Sequence, residues 1–163
     1  MHPWVSIRLA WKGKSEMAVF KEVIKTHVLM GRLRHGGDLL DEITEVCGQR
    51  NIKLGRIEAI GAVRKACIGF YDQEKREYGY INIDEPLEIT NLTGNISIKD
   101  NSPFVHAHVT LADSTGRAYG GHLVQGTIVF ACECAIEVME GPAFERGFDR
   151  ETGLSLWSIK EGG

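Results

Sequence analysis

Apolar and polar residues alternate in short runs along most of the chain, and runs rich in Ile, Val, Thr, Phe and Tyr are separated by Gly, Asp and Asn. This period of two is typical of β-strands that bury one face. The predicted strands cover residues 26–33, 56–62, 65–71, 77–83, 87–93, 96–99, 103–111 and 119–139, and the tail "GLSLWSI" adds another. We expect a bulge at Gly120 and Gly121 to break the strand predicted at 119–139.

One segment, residues 38–50, follows the period of a helix instead. Its apolar residues fall on one face at helical spacing: Leu39, Leu40, Ile43, Val46 and Cys47. Asp38 is placed to cap the first turn, and Asp41 adds negative charge where the helix dipole favours it. Many strands with one clear helix predict an α+β fold: a central, mainly antiparallel twisted sheet with one principal helix packed on it.

The length of 163 residues corresponds to one domain, and 43% hydrophobic and 25% charged residues are typical of a soluble globular protein. We predict an N-terminal extension over residues 1–20, with a strand at 4–11, and a single domain over 21–163. We expect no secretory signal, and no apolar run approaches the roughly 18 residues of a membrane span. The four cysteines lack zinc-finger spacing, which predicts free thiols and a cytoplasmic protein.

Half of the six histidines lie in the stretch "FVHAHVTLADSTGRAYGGHL", residues 104–123. Because side chains alternate along a strand, the apolar residues of 104–111 share the core face, and His106 and His108 point to the opposite face. If the loop "DSTGR" is symmetric about Thr115, His108 lies directly opposite His122 in an antiparallel pair. The three imidazoles then form a triangle, whereas a loop with an even number of residues would send His122 to the other face.

Three neutral imidazoles that converge on one point are typical ligands of Zn²⁺, which takes nitrogen ligands in tetrahedral geometry. Three protein ligands leave a fourth position for water or substrate, as in catalytic zinc sites. Other divalent transition metals, Fe²⁺, Ni²⁺ and Cu²⁺, also accept imidazole, so the residues predict the site more sharply than the metal. The alternative is that the three histidines make ordinary hydrogen bonds at the surface or in the core.

Two acidic residues are weak candidates for a catalytic role. Glu88 lies in the predicted strand segment "LEITN", where a charge is unusual, and it is a candidate general base or acceptor for a metal-bound histidine. We favour the alternative, a charge at an edge or an interface. Glu133, the weaker candidate, alternates with Cys132 and Cys134, whose shared apolar face favours core positions for both thiols.

Two arginines, a turn and an asparagine each have both a functional and a purely structural interpretation. Arg34 and Arg146 are candidates for binding a substrate carboxylate, as any exposed arginine is. The turn "RHGGD" before the helix is a candidate anion site, although a tight turn explains its glycines as well. Asn95 follows a glycine, which favours a turn. The net charge of −3 gives no basic excess for binding nucleic acid.

The sequence resembles the plant-and-prokaryote-conserved (PPC) domain family. The resemblance runs in order over residues 25–140 and rests on the segments "GDLLDEI", "IEAIGAVRKACIGFYD", "LEITNLTGNISIKDNSPFVHAHVTLAD" and "GGHLVQGTIVFACECAIEV". The combination of "GNIS", "HAHVTL" and "GGHL" is specific, and the tail "RGFDRETGLSLW" is also typical of the family. Residues 1–20 lie outside the resemblance.

The resemblance implies an α+β fold with a central antiparallel sheet, usually assembled as a homotrimer. In plant members the domain follows a DNA-binding AT-hook, whose "RGRP" core is missing here, so direct nucleic-acid binding is not implied. The fold is also similar to those of acetolactate decarboxylase and of a zinc-dependent ester hydrolase family, which bind zinc through an HxH pair and a further histidine. The matching positions are His106, His108 and His122.

Three hypotheses for the function follow. The first is a stand-alone PPC-type domain that binds zinc, or another divalent metal, through the three histidines and self-associates, with a trimer expected and a small-molecule ligand as a candidate partner. The sequence does not fix its biological role; in the non-enzymatic version it is an assembly or regulatory scaffold and the metal stiffens the hairpin. The second is a metal-dependent hydrolase or decarboxylase that acts on a small organic acid or ester. The third is a DNA-associated regulatory protein, which the net charge does not favour.

Overall fold

The computed structural model describes residues 18–159, and the strand predicted at 4–11 lies outside this range. The described elements are β1 (Ile24–Arg32), α1 (Leu39–Gln49), β2 (Gly55–Asp72), β3 (Glu77–Ile83), β4 (Leu87–Lys99), β5 (Ser102–Ala112), β6 (Ala118–Leu123), β7 (Ile128–Glu140), β8 (Arg146–Phe148) and β9 (Ser155–Trp157). Each pairing between these strands is antiparallel. The fold is therefore mainly β with one helix, in broad agreement with the predicted α+β class.

Several predicted strand boundaries are wrong. The segments 56–62 and 65–71 form one strand, β2, and the segments 87–93 and 96–99 form one strand, β4. The predicted break at Gly120 and Gly121 is also wrong, because β6 runs through both glycines and the chain turns at 124–127 instead. A Cβ at Gly121 would lie 2.7 Å from the carbonyl oxygen of Gly69 on the neighbouring strand. This glycine permits a close approach between strands rather than a turn.

The long strand β2 organises the sheet. The strand order is β1-β7-β2-β4-β5-β6, with β3 paired to β2. The first half of β2 pairs with β4 and β7, whereas its second half pairs with β3 and, at Ile68 and Gly69, with β6. Because β6 also pairs with β5, the strands β2, β4, β5 and β6 form a closed circuit. The circuit leaves β6 hydrogen-bonded to a neighbour on each side.

The helix α1 packs on the core side of the sheet. Its residues Leu39, Ile43 and Cys47 are fully buried, as the helical period predicts, and Leu40 and Val46 pack against them from the edge. The strands contribute the other large, fully buried side chains: Ile57, Val63, Ile68, Leu92, Ile96, Val109, Leu111, Leu123 and Val129. One side of the sheet is therefore apolar and covered by the helix, and the other side is not covered by it.

Asp38 caps the helix, as predicted. Its Oδ1 accepts hydrogen bonds from the backbone N–H groups of Leu40 (3.0 Å) and Asp41 (3.2 Å). Its Oδ2 accepts a hydrogen bond of 2.6 Å from the N–H of Gly126, which ties the helix start to the loop between β6 and β7. Within residues 18–159, no helix is long and apolar enough to cross a membrane.

Gly94 is required where β4 and β5 approach each other. A Cβ at this position would lie 2.5 Å from the carbonyl oxygen of His106 and 2.7 Å from the Cβ of Ala107. We expect Gly94→Ala to lower the free energy of unfolding by about 1–3 kcal/mol, because the added methyl group forces the two strands apart. Urea denaturation measures the change.

The matched control is Gly48→Ala in α1, where an added Cβ meets no atom within 4 Å. Alanine favours a helix over glycine by about 0.5–1 kcal/mol, so this variant should be more stable than the wild type. A Gly94→Ala protein as stable as the Gly48→Ala protein would contradict the close approach of β4 and β5.

Candidate metal centre

Strand β5 carries two of the three predicted metal ligands on the side of the sheet that faces away from the core. Its alternate residues are buried, while His106 is half-buried and His108 is exposed on the other side. In the register of β5 with β6, His108 lies opposite His122. The predicted pairing is therefore confirmed, and the three side chains share one face.

Asp113 organises the loop that sets this register. The loop spans residues 113–117, an odd number, as the pairing of His108 with His122 requires. The Oδ1 of Asp113 accepts hydrogen bonds from the Thr115 hydroxyl (2.6 Å) and from the N–H groups of Thr115 (2.8 Å) and Arg117 (3.1 Å). These bonds, first of all the one from the Thr115 hydroxyl, stabilise the carboxylate and lower the pKa of Asp113 to about 2.

The three imidazoles form a compact triangle. The ring centroids of His106 and His122 are 5.0 Å apart, and each of these rings lies 5.4 Å from that of His108. One nitrogen of each ring can be chosen so that all three lie within 4.8 Å of one another. Tetrahedral zinc, with bonds of about 2.0–2.1 Å, needs nitrogens roughly 3.3 Å apart, so small rotations of the side chains would bring them into position.

His122 provides an independent sign of a missing partner. Its Nδ1 is buried, and no group among the described residues forms a hydrogen bond with it. A buried polar atom without a partner costs about 1–3 kcal/mol, and such atoms are rare in folded proteins. A metal ion bound by the triangle would supply the partner, so the residues present fit a metal.

The electrostatics also suit metal binding. Burial, with smaller contributions from the charge of Arg146 and from the other two histidines, lowers the pKa of His106 to about 4. Burial also lowers the pKa of His122, with added contributions from His108 and Arg146. Metal ions bind neutral imidazole, so His106 and His122 are in the binding form at neutral pH without having to lose a proton.

A tyrosine that sequence reasoning missed packs on the third ligand. The ring of Tyr78 in β3 lies 5.3 Å from that of His122. Gly69 of β2 pairs with His122, and a Cβ there would lie 3.2 Å from the ring of Tyr78. Only the pairing of β3 with β2 brings Tyr78 to the site, so the local sequence carries no signal of it.

A hairpin formed by β8 and β9 brings Arg146 to the same face. Its Nε donates to the Ser97 hydroxyl, its Nη2 to Oδ1 of Asn95 and its Nη1 to the carbonyl of Ser155, each at 2.9 Å. Asn95 pairs with His106 across β4 and β5. The structure thus places Asn95 inside a strand, not in the predicted turn, and Arg146 beside the histidines.

A cavity of about 610 Å³ borders His106 and His108. Its wall is mostly apolar and includes Leu54, Met139 and Phe144. A cavity of this size with an apolar wall and a few polar groups is typical of small-molecule sites.

The two acidic candidates do not meet at the histidines. Glu88 lies opposite Ala112 at the start of β4, away from Thr93, which lies opposite His108. Glu133 shares the sheet face of the histidines, but it is on β7, with β2 and β4 between it and β5. Neither carboxylate borders the cavity next to His106.

Two other sequence candidates have structural partners. The guanidinium of Arg34 bonds to Glu42, with 2.7 Å between Nε and Oε1, and to Glu45. In the turn "RHGGD", the N–H of Gly36 and the carbonyl of Gly37 bond to Val129 of β7. These contacts join the helix start to the sheet, which agrees with the plainer interpretation of both features.

Comparison with solved structures finds close relatives. A metal-containing protein from Archaeoglobus fulgidus is 46% identical, with a TM-score of 0.83, over 87% of this chain and 100% of that protein. A plant- and prokaryote-conserved (PPC) protein from Pyrococcus horikoshii is 34% identical, with a TM-score of 0.82, over 88% of this chain and 99% of that protein.

The curated relatives are much longer proteins. A segment of the bifunctional protein GlmU from Synechococcus sp. (strain JA-3-3Ab) is 30% identical over 121 residues, which is 74% of this chain but 18% of GlmU. This chain therefore spans less than a fifth of the curated relatives that it matches. The similarity to acetolactate decarboxylase stays a prediction.

The family is shown by a match over most of the chain. Residues 20–140 match the profile of the Plants and Prokaryotes Conserved domain, abbreviated PCC or PPC. The motifs that carried the resemblance lie in this range, including both histidine-bearing strands. This chain belongs to the Plants and Prokaryotes Conserved domain family.

Proposed function

We propose that this protein is a metal-binding PPC-type domain in which His106, His108 and His122 hold one Zn²⁺ ion. The observation that carries the proposal is the triangle of imidazoles together with the buried, unpaired Nδ1 of His122. The metal-containing relative from Archaeoglobus fulgidus, at 46% identity, supports it. Zinc is favoured because an all-nitrogen set of three ligands suits its tetrahedral geometry.

The surroundings of the triangle favour a ligand at the remaining coordination position. When bound, Zn²⁺ supplies a Lewis acid that polarises an oxygen atom of such a ligand. Tyr78 shields His122 on one side, and the cavity borders His106 and His108 on the other. A metal-dependent hydrolase or decarboxylase is therefore the second candidate function, and the apolar cavity is the observation that favours it.

We further propose that the domain self-associates, as a trimer. Three apolar side chains lie exposed on the outer face of neighbouring strands: Val28 (43% exposed), Met30 (83%) and Ile60 (60%). Val28 and Met30 lie opposite Glu137 and Ala135 of β7, which in turn lie opposite Arg56 and Glu58 of β2. Every second residue of a strand shares a face, so Ile60 lies on the same face as Arg56 and Glu58. An apolar patch of this kind on a sheet is typical of a surface that another subunit covers. The number three rests on the family resemblance.

The cysteines support a reducing, cytoplasmic location. All four are free thiols. Burial raises the pKa of Cys47 and of Cys132 to about 12, with Cys134 adding to both shifts. Both thiols therefore stay protonated and unreactive, which agrees with core positions rather than metal binding.

Metal content is the direct test of the proposal. Protein purified without added metal and without a histidine tag should contain about one zinc per chain by elemental analysis. The double variant His106→Ala/His108→Ala should contain none, because it keeps one ligand of three, and zinc should raise the melting temperature of the wild type alone.

His27→Ala is the matched control, because His27 is exposed on β1 outside the triangle. It should keep the zinc, and circular dichroism should show that both variants are folded. A wild-type protein that contains no metal and takes up none on titration would contradict the proposal.

Acid should destabilise the metal-free protein through His106. Its pKa is about 4 in the folded chain and 6.5 otherwise, so between these values the unfolded chain binds a proton that the folded chain does not. The contribution of His106 to the free energy of unfolding should therefore be constant above pH 6.5, and this free energy should fall as the pH is lowered to 4.

In His106→Gln, the free energy of unfolding should depend less steeply on pH, and the difference in slope should correspond to up to about one bound proton per molecule. Urea denaturation at a series of pH values measures this slope. Equal slopes in the wild type and in His106→Gln would contradict the buried, neutral state of His106.

Light scattering tests the assembly. The wild type should have three times the 18.1 kDa mass of the chain, and Met30→Asp/Ile60→Asp should be monomeric, because burying two carboxylates in an interface costs more than the contact provides. Phe70→Asp, which changes another exposed apolar side chain (69% exposed), should leave the mass unchanged. A monomeric wild type would rule out the trimer.

A further inference from the structure

Arg146 is a half-buried cation without a carboxylate partner among residues 18–159. Its three hydrogen bonds go to neutral acceptors, namely a serine hydroxyl, an asparagine amide and a backbone carbonyl. The ion pairs of the described residues do not include it. By contrast, Arg34 and Arg56 each bond to a glutamate. The positive charge of Arg146 is therefore uncompensated within this part of the chain.

Anchoring the hairpin does not by itself require that charge. A neutral donor such as an amide can bond to hydroxyl and carbonyl oxygens, and a buried cation without a counter-charge is costly. The guanidinium has five N–H groups, of which three are used, so two remain available. Burial lowers the pKa of Arg146, which agrees with a charge partly removed from water.

The free charge lies next to the metal centre. The guanidinium carbon of Arg146 lies 4.8 Å from the ring of Phe104, which is two residues before His106 on β5. Its Nη2 bonds to Asn95, which lies opposite His106. Since the three histidines are neutral ligands, a bound divalent ion would keep its full double charge. Metal and arginine together then form a strongly positive site, and within residues 18–159 no carboxylate forms an ion pair with Arg146.

Two residues that contact Arg146, Asn95 and Trp157, also border the cavity. The ring of Trp157 lies 5.9 Å from the guanidinium carbon of Arg146 and also forms part of the cavity wall. Phe144 packs against Trp157 at 4.9 Å and borders the same cavity. An anionic group held at the metal centre would therefore have an apolar compartment beside it.

We propose that the metal centre and Arg146 together bind a small organic carboxylate, whose charged head lies between the metal and the guanidinium and whose apolar body fills the cavity beside His106. The inference rests on the proposed metal site and names the chemical class of its ligand. A guanidinium suits this role because it presents its N–H groups in a plane that matches a carboxylate.

The test uses the full-length, zinc-loaded protein and three probes in calorimetric titrations. Hexanoate has both the charge and the apolar body, acetate has the charge alone, and hexanamide has the body without the charge. Hexanoate should bind at least about tenfold more tightly than acetate, because its additional methylene groups are buried. It should also bind at least about tenfold more tightly than hexanamide, because only the anion pairs with Arg146.

Variants separate the charge of Arg146 from its contact with the hairpin. Arg146→Gln should weaken hexanoate binding about 10–100-fold and leave hexanamide binding unchanged. Arg146→Lys, which keeps the charge but not the forked donors, should recover part of the hexanoate affinity. Lys99→Gln is the matched control, since Lys99 lies over the same Phe104 ring as Arg146 but away from the histidines; it should change the affinity less than about threefold.

Each remaining outcome overturns a stated claim. Equal losses for hexanoate and hexanamide in Arg146→Gln, with no recovery in Arg146→Lys, would make Arg146 a hairpin anchor only. Equal binding of hexanoate and hexanamide by the zinc-loaded wild type would also overturn the inference. Zinc is measured in the same samples. If the protein contains zinc but does not bind hexanoate, the proposed ligand class is wrong and the metal site stands. If the protein contains no zinc, the proposed metal site is wrong as well.

Discussion

The register between β5 and β6 is the constraint on which the site depends. A shift of one residue would turn His122 to the core side of the sheet and leave two histidines alone on the outer face. Asp113 holds the register by accepting three hydrogen bonds inside the connecting loop. Strand β6 is then fixed again by β2, whose Ile68 and Gly69 pair with Leu123 and His122. Two independent pairings therefore position the third histidine.

The features that could be predicted from the sequence are those set by local periods. Alternation along β5, the odd loop and the helical period of α1 act over a few residues, and they correctly predicted the facing of His108 and His122 and the cap at Asp38. Some strand boundaries were predicted wrongly because of glycines. Gly94 and Gly121 resemble turn residues in the sequence, but both lie inside strands where a neighbouring carbonyl oxygen leaves no space for a side chain.

The surroundings of the histidines could not be predicted in the same way, because they come from distant parts of the chain. Tyr78 reaches His122 through the pairing of β3 with β2, and Arg146 reaches Asn95 through a hairpin that begins about fifty positions later. No pattern within either segment indicates these contacts. Glu88 and Glu133 are the opposite case. The sequence marks them as candidates because a charge within a strand is unusual, but the fold places both away from the three histidines.

The closed circuit of β2, β4, β5 and β6 also determines how firmly the three histidines are held relative to one another. A metal-binding residue on an edge strand can move away from the site when that strand frays. Fraying costs a small fraction of the global free energy of unfolding. Here His122 lies on a strand that is hydrogen-bonded to β5 and to β2, and the centre of β2 is itself bonded on both sides. Separating the third histidine from the other two therefore requires opening the sheet that contains the core. The three histidines therefore keep their relative placement for as long as the core sheet stays closed, with or without a bound ion.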